Sequence, residues 1–71
     1  MATTTLKVQG MTCQHCVRSV TQALASQEGV AHAEVDLQAG RARVEYDDAR
    51  VSPRELANAV AEEGYEAEEL P

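Results

Sequence analysis

The chain reads as an α+β fold in the order βαββαβ, a four-stranded antiparallel sheet with two helices on one face. Three observations predict it. Apolar residues alternate with period two in several short stretches. Two helical stripes separate those stretches, each closed by a glycine. A glycine-containing turn joins the two middle stretches closely enough to make a hairpin. The length of 71 residues allows one domain, residues 1–71, and such a chain buries only about 60% of the surface its unfolded form exposes.

From Thr4 to Gln9, Leu6 and Val8 share one face, and Thr5, Lys7 and Gln9 the other, the pattern of a half-buried strand. Val17, Val20 and Leu24 then recur at helical spacing, so the first helix is expected from about Cys16 to Gln27, stopped by Gly29, with Thr12 as its N-cap. Alternation resumes at Val30, where Ala31, Ala33, Val35 and Leu37 share one parity and His32, Glu34 and Asp36 the other. Gln38-Ala39-Gly40 supplies the turn, after which Ala42, Val44 and Tyr46 alternate with Arg41, Arg43 and Glu45. Ser52-Pro53-Arg54-Glu55 is a capping box with proline at the first helical position, and it opens a helix carrying Leu56 and Val60 and closed by Gly64. Tyr65 and Ala67 share one parity of a short, acidic last strand. A helix between strands in each half, with a hairpin between the halves, is the split βαβ arrangement of a ferredoxin-like sandwich.

The composition excludes several functions. Six Lys and Arg against twelve Asp and Glu leave a formal charge of −6, whereas phosphate backbones are bound by a cationic footprint, so no nucleic acid partner is expected. A basic protein surface is the natural complement. Phe and Trp are absent and the apolar residues are small, which argues against an enclosed substrate cavity. No stretch approaches the ~20 apolar residues that span a bilayer, so no direct membrane insertion is expected. Met1-Ala2-Thr3-Thr4-Thr5 lacks the form of a secretory signal, which makes the cytoplasm the expected compartment.

Both cysteines lie in Gly10-Met11-Thr12-Cys13-Gln14-His15-Cys16, where the strand pattern gives way to the helical one. A thiolate pair is a soft donor set that selects Cu(I) or a similarly thiophilic ion over Mg²⁺ or Ca²⁺. At a helix start the spacing lets both sulfurs converge on one ion, and unpaired N–H groups with the helix macrodipole favour the thiolate. Two donors suit near-linear Cu(I), whereas a structural zinc site takes four. They also leave the ion open to a thiolate from a second copy, so a metal-bridged homodimer is expected alongside a metal-free monomer. Met11 is either a thioether ligand or a core anchor for the loop, the usual role of Met in a small domain. His15 is a third ligand, a cation that lowers the thiol pKa values, or a polar residue on an exposed turn.

The Gly10-Met11-Thr12-Cys13-x-x-Cys16 run resembles the signature of the heavy-metal-associated domain family, and the likeness extends from the first strand through Gly64-Tyr65. The resemblance implies a ferredoxin-like fold and binding of Cu(I), or in some branches Hg²⁺, Zn²⁺ or Cd²⁺, through Cys13 and Cys16. It also implies transfer of the ion by ligand exchange to a similar domain on a copper-transporting P-type ATPase, the work of a chaperone and not of an enzyme. The Gln14-His15 filling and the Gly64-Tyr65 pair are similar to bacterial cytosolic copper chaperones. Tyr65 matches a family position facing the metal loop, while its parity alone makes it a core residue.

Three other readings share these residues. A thiol-disulfide oxidoreductase also uses Cys-x-x-Cys, although the chain is short for a thioredoxin-like domain and neither Pro53 nor Pro71 is evidently placed against the cysteines. The others are a mercury-binding member of the same family and an amino-terminal domain excised from a copper ATPase. Metal binding and disulfide turnover separate the first of these from the chaperone.

Overall fold

The computed structural model describes residues 1–70, and Pro71 lies outside them. The elements are β1 (Ala2–Gln9), α1 (Gln14–Ala25), β2 (Val30–Asp36), β3 (Arg41–Tyr46), α2 (Pro53–Glu62) and β4 (Glu66–Glu69). The sheet order is β2-β3-β1-β4 and every neighbouring pair is antiparallel. Each βαβ unit is therefore split by a strand of the other: β3 lies between β1 and β2, and β1 between β3 and β4. This is the α+β ferredoxin-like sandwich that the sequence pattern predicts.

The apolar parity of the two central strands builds the core. Leu6 and Val8 of β1 and Ala42, Val44 and Tyr46 of β3 are buried against Val20 and Leu24 of α1 and Leu56 and Val60 of α2. One face of the sheet thus carries both helices, with α1 over β2 and α2 over β4 and β1. The opposite face presents Lys7, Arg41, Arg43, Glu34 and Asp36 to solvent. β1 begins two residues before the expected Thr4, because β3 extends to Tyr46 and supplies Ala2 with a partner.

At the start of β2 the expected parity breaks. Val30 stands opposite Tyr46 and His32 opposite Glu45, so Ala31 is the extra residue of a β-bulge. Ala31 is exposed, and Val30 packs on the core in its place. The exchange puts the larger apolar side chain inside, which removes more surface from water. Ala33 and Val35 keep their inward positions.

The two helices start differently. α2 has the expected cap: the Glu55 amide donates to Ser52 Oγ at 3.3 Å, and the Ser52 hydroxyl donates to the Glu55 carboxylate at 3.3 Å. The hydroxyl thus holds both bonds, whereas the usual box returns the carboxylate to the cap's own amide. α1 begins two residues earlier than expected, with Cys13 and not Thr12 at the N-cap and no side-chain hydrogen bond closing it. It also ends earlier, at Ala25, where Ser26 and Gln27 donate back to the carbonyls of Gln22 and Leu24.

The bulge makes a direct comparison possible by urea unfolding. Ala31→Lys should change stability by no more than about 0.5 kcal/mol, the usual range for an exposed site. Val30→Ala should cost about 1 kcal/mol, from apolar area lost against the core. The reverse order would mean that the alternation runs unbroken through Ala31.

Candidate metal centre

Three segments meet at one end of the sandwich: the β1–α1 loop, the β2–β3 turn and the α2–β4 corner. Register brings them together. Gln9 pairs with Glu66 across β1 and β4, so Gly10 and Tyr65, one residue beyond each, are neighbours. A Cβ added to Gly10 would sit 3.4 Å from Tyr65 Cδ1, and Gly10 has φ +102°, a conformation that favours glycine. The glycine therefore turns the chain out of β1 and leaves room for the ring. On the other side, the Val8 amide donates to the Gly40 carbonyl at 2.7 Å, tying the β2–β3 turn to β1.

The cysteine loop is built on this base. Cys13 is extended, with φ −159° and ψ 175°, and the chain enters α1 immediately after it. Its carbonyl accepts from the amides of Cys16 at 3.1 Å and Val17 at 3.3 Å, closing the first turn. That turn brings the two sulfurs to 3.8 Å. Cys13 is exposed and Cys16 half-buried, and neither is part of a disulfide. Met11 is half-buried and packed on the core, the position of a loop anchor.

Electrostatics at the pair are local. The Cys16 thiol is lowered to about 6, chiefly by the main-chain N–H of Thr12, then by the Tyr65 hydroxyl and the Thr12 hydroxyl, with a smaller contribution from Cys13. Thr12 Oγ1 lies 3.8 Å from Cys16 Sγ. Tyr65 is raised in turn, because its hydroxyl donates to the Cys16 sulfur and ionising it would place two negative charges together. The main stabiliser of the thiolate is thus an N–H of the loop before the helix.

Thr12, expected as a helix cap, instead faces Cys16. Tyr65 combines the two roles weighed for it, its ring against the core and Gly10 and its hydroxyl at Cys16. His15 is exposed on the first turn of α1, where its carbonyl accepts from the Ser19 hydroxyl at 3.3 Å. Among the described residues, no group of three His, Cys, Asp or Glu side chains is gathered as a metal cluster. Two contributions escaped the sequence reading, Gly10 as the seat of the Tyr65 ring and Ser19 beside the Tyr65 hydroxyl. Ser19 carried a usable signal, since it lies one helical turn after Cys16.

The fold and the paired sulfurs define a small ferredoxin-like domain with a soft donor set at one exposed end. Residues 5–66 match the heavy-metal-associated domain, and the chain belongs to that family. The copper chaperone CopZ of Staphylococcus saprophyticus is 41% identical over 66 residues, covering 93% of this chain and 97% of that protein. Among solved structures, a CopZ metallochaperone aligns with a TM-score of 0.91 at 36% identity, covering 94% of this chain and 100% of that one. A copper binding domain from HMA7, a P-type ATPase, aligns with a TM-score of 0.98 at 37% identity, covering 100% of this chain and 96% of that one.

Each donor to Cys16 stabilises its charged form, so removing one raises the thiol pKa. In a Cys13→Ser background, alkylation rates across pH should place half-ionisation of Cys16 near 6. Tyr65→Phe should raise it more than Thr12→Val, since the latter removes only the hydroxyl and keeps the N–H. A midpoint left unmoved by both substitutions would contradict this assignment.

Proposed function

We propose that this chain is a cytoplasmic copper chaperone that binds Cu(I) through Cys13 and Cys16 and passes it by ligand exchange to a copper-transporting P-type ATPase. The observation that carries the reading is the sulfur pair itself, 3.8 Å apart on an exposed loop. A two-coordinate ion held there is open to attack, so an incoming thiolate can add before an outgoing one leaves. The same unsaturation lets a second copy offer a thiolate and form a metal-bridged homodimer. Relatives named as copper chaperones and the likeness to an ATPase copper domain support both the cargo and the acceptor.

The residues divide the work. Cys13, at the exposed N-cap, is the sulfur an acceptor reaches first, and Cys16 is the inner donor, its thiolate supported by Thr12 and Tyr65. Met11 holds the loop to the core, so that ligand exchange moves side chains and not the sheet. Protons compete with metal for the same sulfurs, which makes affinity fall on acidification. With Cys16 lowered to about 6, its share of that competition is felt at and below this pH. No helix among the described residues is long and apolar enough to cross a membrane.

The likeness to the HMA7 domain favours one other reading, in which the same site is an acceptor within a larger ATPase. Cell extracts separate the two. An immunoblot detecting a polypeptide of about the 7.7 kDa calculated for the sequence supports the chaperone, and a much larger one the ATPase.

Two measurements test the main reading. Titration of the reduced protein with Cu(I) against a competing chelator should give tight one-to-one binding, lost in Cys13→Ser/Cys16→Ser with the fold retained. Tight binding by that double variant would end the proposal. The second concerns the acceptor: Glu62, Glu63 and Glu66 lie at the α2–β4 corner beside the loop, suited to a basic surface. Glu62→Lys/Glu63→Lys should slow transfer to a basic acceptor domain and flatten its salt dependence at unchanged Cu(I) affinity. Equal transfer rates at low ionic strength would reduce these glutamates to solvated surface.

A further inference from the structure

Three of the chain's six basic side chains sit together on the sheet face that carries no helix. Lys7 stands directly opposite Arg41 across β1 and β3, and Arg43 follows two residues along the same face. Like charges opposed across two strands repel, so this placement costs stability. The register offers a relief that the side chains do not take. Asp36 lies opposite Arg41 and Glu34 opposite Arg43 across β2 and β3. Yet the Asp36 carboxylate accepts from the Ala39 amide at 3.1 Å, and the Glu34 carboxylate meets His32 Nε2 at 3.1 Å. The ion pairs among the described residues are His32–Glu34 and Arg50–Glu28, so Lys7, Arg41 and Arg43 are left without one. All three are exposed, and an open groove of about 970 Å³, lined in part by Thr5, Arg41 and Arg43, crosses this face.

We propose that this face docks an extended acidic segment of a partner protein, its alternate carboxylates meeting Arg41 and Arg43 with Lys7 alongside. Spacing and charge select that occupant. Arg41 and Arg43 are two residues apart on a strand, about 6.8 Å, and side chains on one side of an extended peptide repeat at the same distance. Carboxylates on such a segment reach both guanidiniums in the two-pronged geometry that arginine favours. The basic strip is only two strands wide, because Glu34 and Asp36 border it on β2 and Glu68 on β4. A broad polyanion such as a nucleic acid or an anionic membrane would lie over those carboxylates as well, whereas a single extended segment fits between them. The groove also reaches Gln14, next to Cys13, which sets a docked partner beside the metal loop without occupying the sulfurs.

The test titrates the full metal-free chain into a fluorescent peptide of alternating Glu and Thr at low ionic strength and reads anisotropy. A net charge of −6 by itself predicts repulsion. Expected instead is saturable binding that salt weakens, with amide shift changes centred on residues 5–7 and 41–43. Arg41→Gln/Arg43→Gln should weaken binding at least about ten-fold, with the circular dichroism of the folded chain retained. Glu68→Gln, which removes a bordering carboxylate, should tighten it, a gain that loss of structure cannot produce. Absence of binding, affinity unchanged in the double variant, or shifts centred elsewhere would overturn the proposal, and weaker binding by Glu68→Gln would overturn the boundary of the strip. Inorganic phosphate displacing the peptide at equal concentration would overturn the segment in favour of a small anion. A wild-type dimer lost in Arg41→Gln/Arg43→Gln would assign the face to a second copy instead. These readouts involve no metal, so their failure leaves the copper reading standing.

Discussion

The antiparallel pairing of β1 with β4 is the contact on which the site depends. β1 runs through the middle of the sheet, held by β3 on one side and β4 on the other, and its inward residues Leu6 and Val8 are buried. The loop after it therefore starts from a fixed point. The register that sets Gln9 against Glu66 delivers Tyr65 from the far end of the chain to Gly10 and Cys16. Moving that register by one residue would turn Ala67 away from the core and carry Tyr65 off the loop together. A rigid base under an exposed tip is the usual way a scaffold presents a reactive group.

Thiolate chemistry on this molecule works against the overall charge. A chain of net charge −6 opposes further negative charge, and the acidic α2–β4 corner lies beside the cysteines. Neutral hydrogen-bond donors supply the local correction. The Thr12 N–H, the Tyr65 hydroxyl and the Thr12 hydroxyl all act on Cys16 without adding a cation. The acidic surface thus stays available for long-range attraction of a basic partner, while short-range donors set the state of the sulfur. The two effects separate because hydrogen bonds act at contact and surface charge acts over about a Debye length, roughly 8 Å at physiological salt.

The helix starts show where stability gives way to chemistry. α2 begins with Ser52, Pro53 and Glu55, a sequence that satisfies its first amides. α1 has Cys13 at the equivalent position and no side-chain cap, forgoing a bond typically worth about 1 kcal/mol. Thr12, the residue suited to capping, is turned toward Cys16. A departure from local preference at one place in an otherwise consistent sequence marks that place as functional.

What the sequence determined by itself was everything governed by short-range pattern. Alternation in Leu6 and Val8, and in Ala42, Val44 and Tyr46, named the inward faces of the central strands. The Ser52 box located the start of α2, and the Cys-x-x-Cys run put two thiols where β1 gives way to α1. At Ala31 a neighbour distant in the chain intervened. The bulge at Ala31 arises from pairing with β3, and alternation cannot anticipate which of Val30 and Ala31 the core will accept. The role of Thr12 was hidden because capping is a local preference, whereas facing Cys16 depends on how the loop leaves β1. Tertiary structure alone decided that Gly10 seats the Tyr65 ring, since their approach depends on strand order and register, which no window of local sequence contains.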